Sequence, residues 1–254
     1  MRSSLMVVFV LAAGCGGGTT TQEEGTAQEA LDSNEVGSAE SAIMVTSADS
    51  AEGSTGEAAA TSAKTKFPAH FTPSGCAVAT VTGNKVSYVL TKCTGPWGLA
   101  HVTGTIDVTY TKTATGFSAV ASGSNLMVNR ATIDLDATGT FSSDGTTKTA
   151  TVDAKSSGTG PNGNHVTRSG SYTVTWDSTC MTLDGMWTTG IGLKSASTTI
   201  DNMKLCSGMC PQSGTVVHVG FFGFTITVSF DGTGAVKWST SNNKSGTVNL
   251  SCDA

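Results

Sequence analysis

The residues of this sequence most able to form covalent bonds or bind metal are six cysteines after residue 66: Cys76, Cys93, Cys180, Cys206, Cys210 and Cys252. Thiols in this number either pair as disulfides or bind a metal ion. Three residues separate Cys206 from Cys210, whereas zinc sites prefer tighter knuckles, and no histidine lies near them in sequence. We therefore predict three disulfides and no metal site.

Spacing gives a preferred pairing for these thiols. One hairpin turning at Gly83-Asn84 would bring Cys76 to Cys93. A histidine follows Cys93 by eight residues, and another follows Cys210 by eight, as in a duplication with halves 67–175 and 176–254. That repeat would pair Cys180 with Cys206 and leave Cys210 for Cys252. An alternative joins Cys206 to Cys210 across a tight loop.

Two pairs of titratable residues are candidates for catalysis or metal binding. Asp134 and Asp136 alternate along a strand, so both carboxylates face one side and could hold calcium or act as an acid–base pair. His101 and His218 occupy equivalent positions in the two halves and could share a metal or act as a general base. Because no acidic cluster or serine elbow accompanies them, we expect a solvated strand face and sheet histidines, and predict no catalytic residue.

Two further motifs could bind a ligand. Residues 158–163 match G-x-G-x-x-G, but a strand follows instead of a helix and Pro161 interrupts the motif, so residues 158–164 are predicted to be a loop and no nucleotide cofactor is expected. Five aromatic residues could line a sugar or lipid site, although core packing is the expectation for them: Trp97, Trp187, Trp238 and Phe221-Phe222. The sequence identifies no ligand-binding residue.

The elements that would position these residues are β-strands. From Phe67 onward, apolar residues alternate with Thr and Ser, as in Phe224–Phe230, which places the two sets on opposite faces. Turn signals such as Asp144-Gly145 and Asp231-Gly232 separate the runs. Residues 67–254 are therefore predicted to form an all-β domain, an antiparallel meander of about a dozen strands closed as a barrel or folded as a sandwich, with one face in water.

The segment before this domain has a different composition. All seven glutamates precede residue 58, and residues 16–66 carry nine acidic side chains against Lys64 and Lys66. Aromatic residues are absent there and Ala, Ser, Thr and Gly dominate. Residues 15–66 are predicted to be a disordered acidic linker, with a marginal helix near Ala27–Leu31. The remainder, with ten aspartates against eleven Lys and Arg, is too nearly neutral for nucleic-acid binding.

Residues 1–15 have the order of an export signal. Arg2 is followed by the apolar run Leu5–Leu11, then by Ala12-Ala13-Gly14 and Cys15. This order resembles the lipobox of bacterial lipoproteins. The resemblance implies that residues 1–14 are a cleaved signal peptide and that Cys15 carries acyl chains such as palmitate, which anchor the protein in a membrane. Gly16 instead of aspartate after the cysteine implies the outer membrane.

Together these features predict an exported, lipid-anchored protein of the bacterial cell envelope. Because no catalytic constellation is found, the expected role is that of a non-enzymatic interaction or structural module with an unidentified envelope protein or glycan partner. Two alternatives are open. One is a carrier or sensor of an apolar or glycan ligand, and the other is an envelope glycan hydrolase.

Overall fold

The computed structural model describes residues 40–41, 43–95, 101–128, 131–160, 163, 165–177, 179–191, 194–206, 210–220 and 223–249. Helix α1 covers residues 40–50, of which 42 is not described, and α2 covers Gly56–Ala69. The strands are β1 (Ala77–Thr82), β2 (Lys85–Cys93), β3 (Val102–Lys112), β4 (Gly116–Val128), β5 (Ala131–Ser143), β6 (Lys148–Thr159), β7 (His165–Trp176), β8 (Cys180–Ile191), β9 (Lys194–Cys206), β10 (Ser213–Val219), β11 (Thr225–Phe230), β12 (Ala235–Thr240) and β13 (Ser245–Asn249).

All thirteen strands belong to one antiparallel sheet in which each strand pairs with its neighbours in sequence. This confirms the predicted all-β meander of about a dozen strands. The alternation that specifies it is clearest in β5, where Ile133 and Leu135 are buried while Asp134 and Asp136 are exposed. A side-chain period of two residues separates the faces in this way. β1 and β13 are the edges of the sheet.

The two helices pack on one face of the sheet, which we call the inner face. The Phe67 ring of α2 stacks on the Tyr88 ring of β2, with centroids 3.9 Å apart. The Tyr110 hydroxyl of β3 donates a hydrogen bond of 3.2 Å to the Ser47 carbonyl in α1. The opposite face is called the outer face. No helix among the described residues is long and apolar enough to cross a membrane.

The prediction of a disordered linker over residues 15–66 is wrong for residues 43–66, most of which lie in these two helices. The Thr55 side chain caps α2 by accepting a hydrogen bond from the Ala58 N–H, which satisfies one otherwise unpaired donor. Ala59 and Ala63 are completely buried against the sheet. Alanine favours helices but adds little hydrophobicity, so packing supplies the stability that the composition does not indicate. Residues 1–39, with Cys15 and Ala27–Leu31, lie outside the described part.

Disulfides fix two hairpins of the sheet. Cys76 is bonded to Cys93 across β1 and β2, and Cys180 to Cys206 across β8 and β9. Both predicted pairings are confirmed, and the alternative bond from Cys206 to Cys210 is excluded. Cys210 is also disulfide-bonded. Its predicted partner Cys252 lies outside the described residues.

The proposed division into halves 67–175 and 176–254 falls inside β7. That strand pairs with β8 over ten residue pairs, so the sheet is continuous across the division. The second part of the sheet also has shorter strands, since β10 to β13 contain five to seven residues each.

A β-bulge in β9 has an unusual three-strand arrangement. Asn202 adopts a left-handed backbone, with φ of 50°, and its N–H donates a 2.6 Å hydrogen bond to the Asp184 carboxylate of β8. Gly214 of β10 lies opposite the bulge with φ of 113°. A Cβ at that position would lie 2.4 Å from the Met203 Cα, which explains why a glycine is present.

The same arrangement occurs a second time, at β4. Asn125 has φ of 52°, its N–H donates a 2.7 Å hydrogen bond to the Asp134 carboxylate of β5, and Gly104 of β3 lies opposite with φ of 137°. The three strands follow in the order glycine, asparagine, aspartate here and in the reverse order at β8–β10. The two sites are therefore related by an approximate twofold axis between β6 and β7, and not by a tandem repeat.

Candidate binding surface on the outer face

The outer face carries hydroxyl side chains on the strands that follow one another through the middle of the sheet. Thr151 of β6 lies beside Thr140 of β5 and Thr173 of β7. Two residue pairs along, Thr149 lies beside Ser142 and Thr175. The strands place these side chains outward because the alternate positions carry the buried residues of the inner face. The result is a surface patch of hydroxyl side chains with few charged ones, which we call the hydroxyl field.

A depression of about 780 Å³ lies in this field across β6 to β10. Most of its lining residues have short polar side chains. The lining consists of Thr151, Ser171, Tyr172, Thr173, Asp184, Gly185, Met186, Thr199, Ile200, Asp201, Thr215 and Val217. Tyr172, Gly185 and Ile200 belong to inner-face positions, so they line the depression mainly through their backbone.

A second depression of about 300 Å³ adjoins the first and shares Thr151 with it. It is lined by the turn between β3 and β4, by outward residues of β5 and β6, and by the inner-face residue Phe141: Thr113, Thr115, Thr140, Phe141, Ser142, Thr149 and Thr151. We call the two depressions together the threonine trough. Within the described part of the chain, ten Thr and Ser residues line it, and its charged residues are Asp184 on β8 and Asp201 on β9.

The trough combines hydrogen-bonding side chains with apolar surface, and apolar atoms make up most of its exposed lining. Each hydroxyl is one donor and two acceptors, so the lining can match a partner that both donates and accepts. Met186 is 60% exposed on the same face, with Val217 two strands away in the same row. An exposed side chain of this size offers an apolar contact between hydroxyl groups.

The bulge at Asn202 holds the two carboxylates of the trough. Asp184 accepts from the Asn202 backbone N–H at 2.6 Å, and Asp201 accepts from the Asn202 side-chain amide at 2.8 Å. Both bonds use Oδ1, and within the described residues Oδ2 of either carboxylate makes no hydrogen bond. A bulge bends its strand locally, which turns these side chains toward one end of the trough.

A second polar cluster lies on the inner face and is closed to solvent. Glu40 of α1 forms an ion pair of 2.8 Å with Arg168 of β7, and its other oxygen accepts a 2.8 Å hydrogen bond from Ser156 of β6. The guanidinium lies 4.4 Å from the ring centroid of Trp187. Burial raises the pKa of the neighbouring Tyr172, and the Glu40 charge raises it further. This cluster joins helix to sheet and opens to no ligand.

The structure does not bring the predicted titratable pairs into a site. Asp134 and Asp136 do share the outer face, but Asp134 is used by the bulge at Asn125. His101 is exposed just before β3, while His218 lies within β10, so they do not occupy equivalent positions. Among the described residues, no group of three or more His, Cys, Asp or Glu could hold a metal ion.

His218 is a half-buried side chain of the inner face. Its Nδ1 lies 2.8 Å from the Thr198 hydroxyl, and Nε2 is buried without a hydrogen-bond partner in the described structure. Burial lowers the pKa of His218 because the charged form loses hydration. The neutral ring that results is suited to packing in the sheet.

The glycine-rich and aromatic motifs also have structural positions. β6 continues through Gly158 and Thr159, so the predicted loop of residues 158–164 is shorter than expected, and β7 follows it in place of a helix. Trp187 is buried on the inner face and Trp238 is half-buried against Gly246 in β13. Trp97, Phe221 and Phe222 lie outside the described residues.

The threonines of the trough and its two aspartates were not identified from sequence. In the sequence the hydroxyl side chains appear only as Thr and Ser at alternate positions of consecutive strands. This pattern indicates a solvent-exposed face of a sheet but no particular site. Knowledge of the strand register is needed to see that Thr140, Thr151 and Thr173 are neighbours. Comparison with protein-family models, with curated proteins and with solved structures finds no match to this chain.

Proposed function

We propose that this chain is a cell-envelope lipoprotein whose all-β domain is a non-enzymatic interaction module, and that the threonine trough is its contact surface. The observation that supports the proposal most directly is the uncovered, hydroxyl-lined trough on the face opposite the helices. The disulfides are consistent with an oxidising compartment outside the cytoplasm. The lipid anchor would be carried by Cys15, at the end of the signal described above.

The anchor is tested by mass spectrometry of the mature amino terminus together with membrane fractionation. We expect an acylated Cys15 as the first residue and recovery in the membrane fraction, because multiple acyl chains bind bilayers stably. The Cys15→Ser variant should be soluble after export, with its all-β domain still folded. An unmodified Cys15 in the mature wild-type protein would contradict the lipoprotein part of the proposal.

The non-enzymatic part of the proposal is supported by the hydrogen bonds that the trough carboxylates accept. Asp184 and Asp201 both bind Asn202, and hydroxyl side chains without an adjacent base form the rest of the polar lining. Glycoside hydrolysis requires one carboxyl group to act as an acid and the other as a base or nucleophile. Reducing ends released from peptidoglycan or from chitohexaose should not exceed those released by the Asp184→Asn/Asp201→Asn variant.

A carrier of a glycan ligand is the second candidate, because the lining carries hydroxyl side chains beside its apolar surface. Sites for apolar ligands are lined mainly by hydrophobic and aromatic side chains. The trough is open along the outer face, and its larger apolar contacts are Met186 and Val217. If a hydrophobic fluorescent dye bound in the trough and Met186→Ser abolished that binding, the apolar carrier would be favoured instead.

A further inference from the structure

We infer that the threonine trough binds a linear, uncharged polysaccharide that lies across the strands. This inference rests on the proposed function, because it assigns a partner to the surface proposed there as the contact surface. The partner is defined by its chemistry, as an extended polymer rich in hydroxyl or acetamido groups without ionised groups.

The shape of the trough indicates an extended polymer. The lining runs from the turn between β3 and β4 over β5 to β10, a distance of about 24 Å if five inter-strand spacings of about 4.8 Å are crossed. A row perpendicular to the strands repeats a side chain at each spacing, which is close to the length of one hexopyranose unit. A chain of several sugar units would therefore meet a new strand at each unit.

The charge of the trough disfavours anionic polymers as partners. Among the residues that the structure describes, no lysine or arginine lines it, and the charged ones are Asp184 and Asp201. An anionic chain would be repelled by these carboxylates, and recognition of phosphate needs cationic or clustered N–H donors. Hydroxyl groups on both sides, by contrast, can exchange donor and acceptor roles along the whole length.

An extended peptide is a weaker match to the same surface. Peptides that add to β-sheets do so at an edge, where backbone N–H and C=O groups are unpaired. The strands under the trough, such as β6 and β7, are paired with neighbours on both sides. A sugar chain needs only side-chain hydrogen bonds and an apolar ring contact, which the exposed Met186 side chain supplies.

The test uses the full mature chain and two uncharged probes, cellohexaose and chitohexaose, in calorimetric titrations, with retention on insoluble cellulose and chitin as a second readout. The main variant is Thr151→Val/Thr173→Val/Thr199→Val, which removes three hydroxyls while keeping β-branched side chains suited to strands. Thr80→Val on β1 is the matched control, since it is exposed outside the trough. Thermal unfolding checks that all variants are folded.

We expect the wild type and the control to bind at least one probe and the triple variant to bind it at least about tenfold more weakly, because each lost hydrogen bond weakens binding. Equal binding by the triple variant, absence of binding to both probes, or equally tight binding of anionic alginate would overturn the inference. Trough-dependent binding to an envelope preparation freed of polysaccharide would also overturn it, while the proposed interaction module would stand.

Discussion

Glu40 and Arg168 form an ion pair of 2.8 Å in which the side chains are only 1% and 3% exposed. The residues are separated by 128 positions, so this contact joins the first helix to the middle of the sheet. Charges buried so deeply are retained only when they are paired and hydrogen-bonded, and Ser156 supplies a further hydrogen bond to the carboxylate.

Replacing one partner of this pair should destabilise the protein strongly. We expect Glu40→Gln to lower the free energy of unfolding by about 3–5 kcal/mol, because the Arg168 charge is left buried without compensation. Guanidinium unfolding followed by circular dichroism measures the change. The double variant Glu40→Gln/Arg168→Met should recover a large part of the loss.

The exposed pair Lys66–Glu52 is the matched control, with side chains 43% and 61% exposed. Lys66→Ala should change stability by less than about 1 kcal/mol, since water and salt screen exposed pairs. If Glu40→Gln were no more harmful than Lys66→Ala, the helix would not be held to the sheet as the structure describes.

The two described disulfides should each contribute measurably to stability. They link residues 17 and 26 positions apart, and loops of this size correspond to about 3 kcal/mol in the chain-entropy description. Cys76→Ala/Cys93→Ala and Cys180→Ala/Cys206→Ala should therefore both lower the unfolding free energy, the second slightly more. An increase in stability for either variant would contradict the assigned pairing.

The glycine at the β9 bulge should tolerate no side chain. Gly214→Ala introduces a Cβ 2.4 Å from Met203 in a backbone with φ of 113°, so steric overlap adds to a left-handed conformational cost of about 1–2 kcal/mol. Gly145→Ala has φ of 95° with nothing within 4 Å and should show the conformational cost alone. Differential scanning calorimetry should therefore place the Gly214 variant below the Gly145 variant in melting temperature.

The turn between β7 and β8 should depend on pH through Asp177. Backbone hydrogen bonds from Cys180 and Thr179 lower the pKa of Asp177 to about 2. A lowered pKa in the folded state means stability that is present above the ordinary aspartate pKa, about 3.9, and lost as pH falls toward 2. Asp177→Ala should melt a few degrees below the wild type at pH 7, with the difference shrinking through that window.

Asp136→Asn is the control for the substitution, since no hydrogen bond of the Asp136 carboxylate is found within the described structure. At pH 7 its melting temperature should match that of the wild type. A difference between Asp177→Ala and wild type that stays constant from pH 7 to pH 2 would show that the carboxylate charge does not stabilise the turn.

The strands and two disulfides could be predicted from sequence because their signals are local. Alternation in Thr225–Phe230 specifies a strand directly, and the hairpin turn at Gly83-Asn84 brings Cys76 and Cys93 together. The helices could not be predicted in this way. Ala59 and Ala63 carry no strong apolar stripe, and their burial depends on contact with strands later in the chain.

The trough could not be predicted because it depends on register. The hydroxyls of Thr140, Thr151 and Thr173 are separated in sequence by unrelated turns, and only the pairing of β5, β6 and β7 aligns them. The expected histidine equivalence failed for a similar reason. An equal distance from a cysteine does not place the two histidines alike, because His101 precedes its strand while His218 lies inside one.

The chain-order pairing of the thirteen strands has a consequence for biogenesis. Each strand finds its partner in the segment just before it, so hairpins can assemble one after another as the polypeptide emerges during its synthesis. The contact from Glu40 to Arg168 must wait until β7 has emerged. The start of α1 would therefore reach its final position only after half of the sheet has formed, whereas α2 can pack on β1 to β3 early.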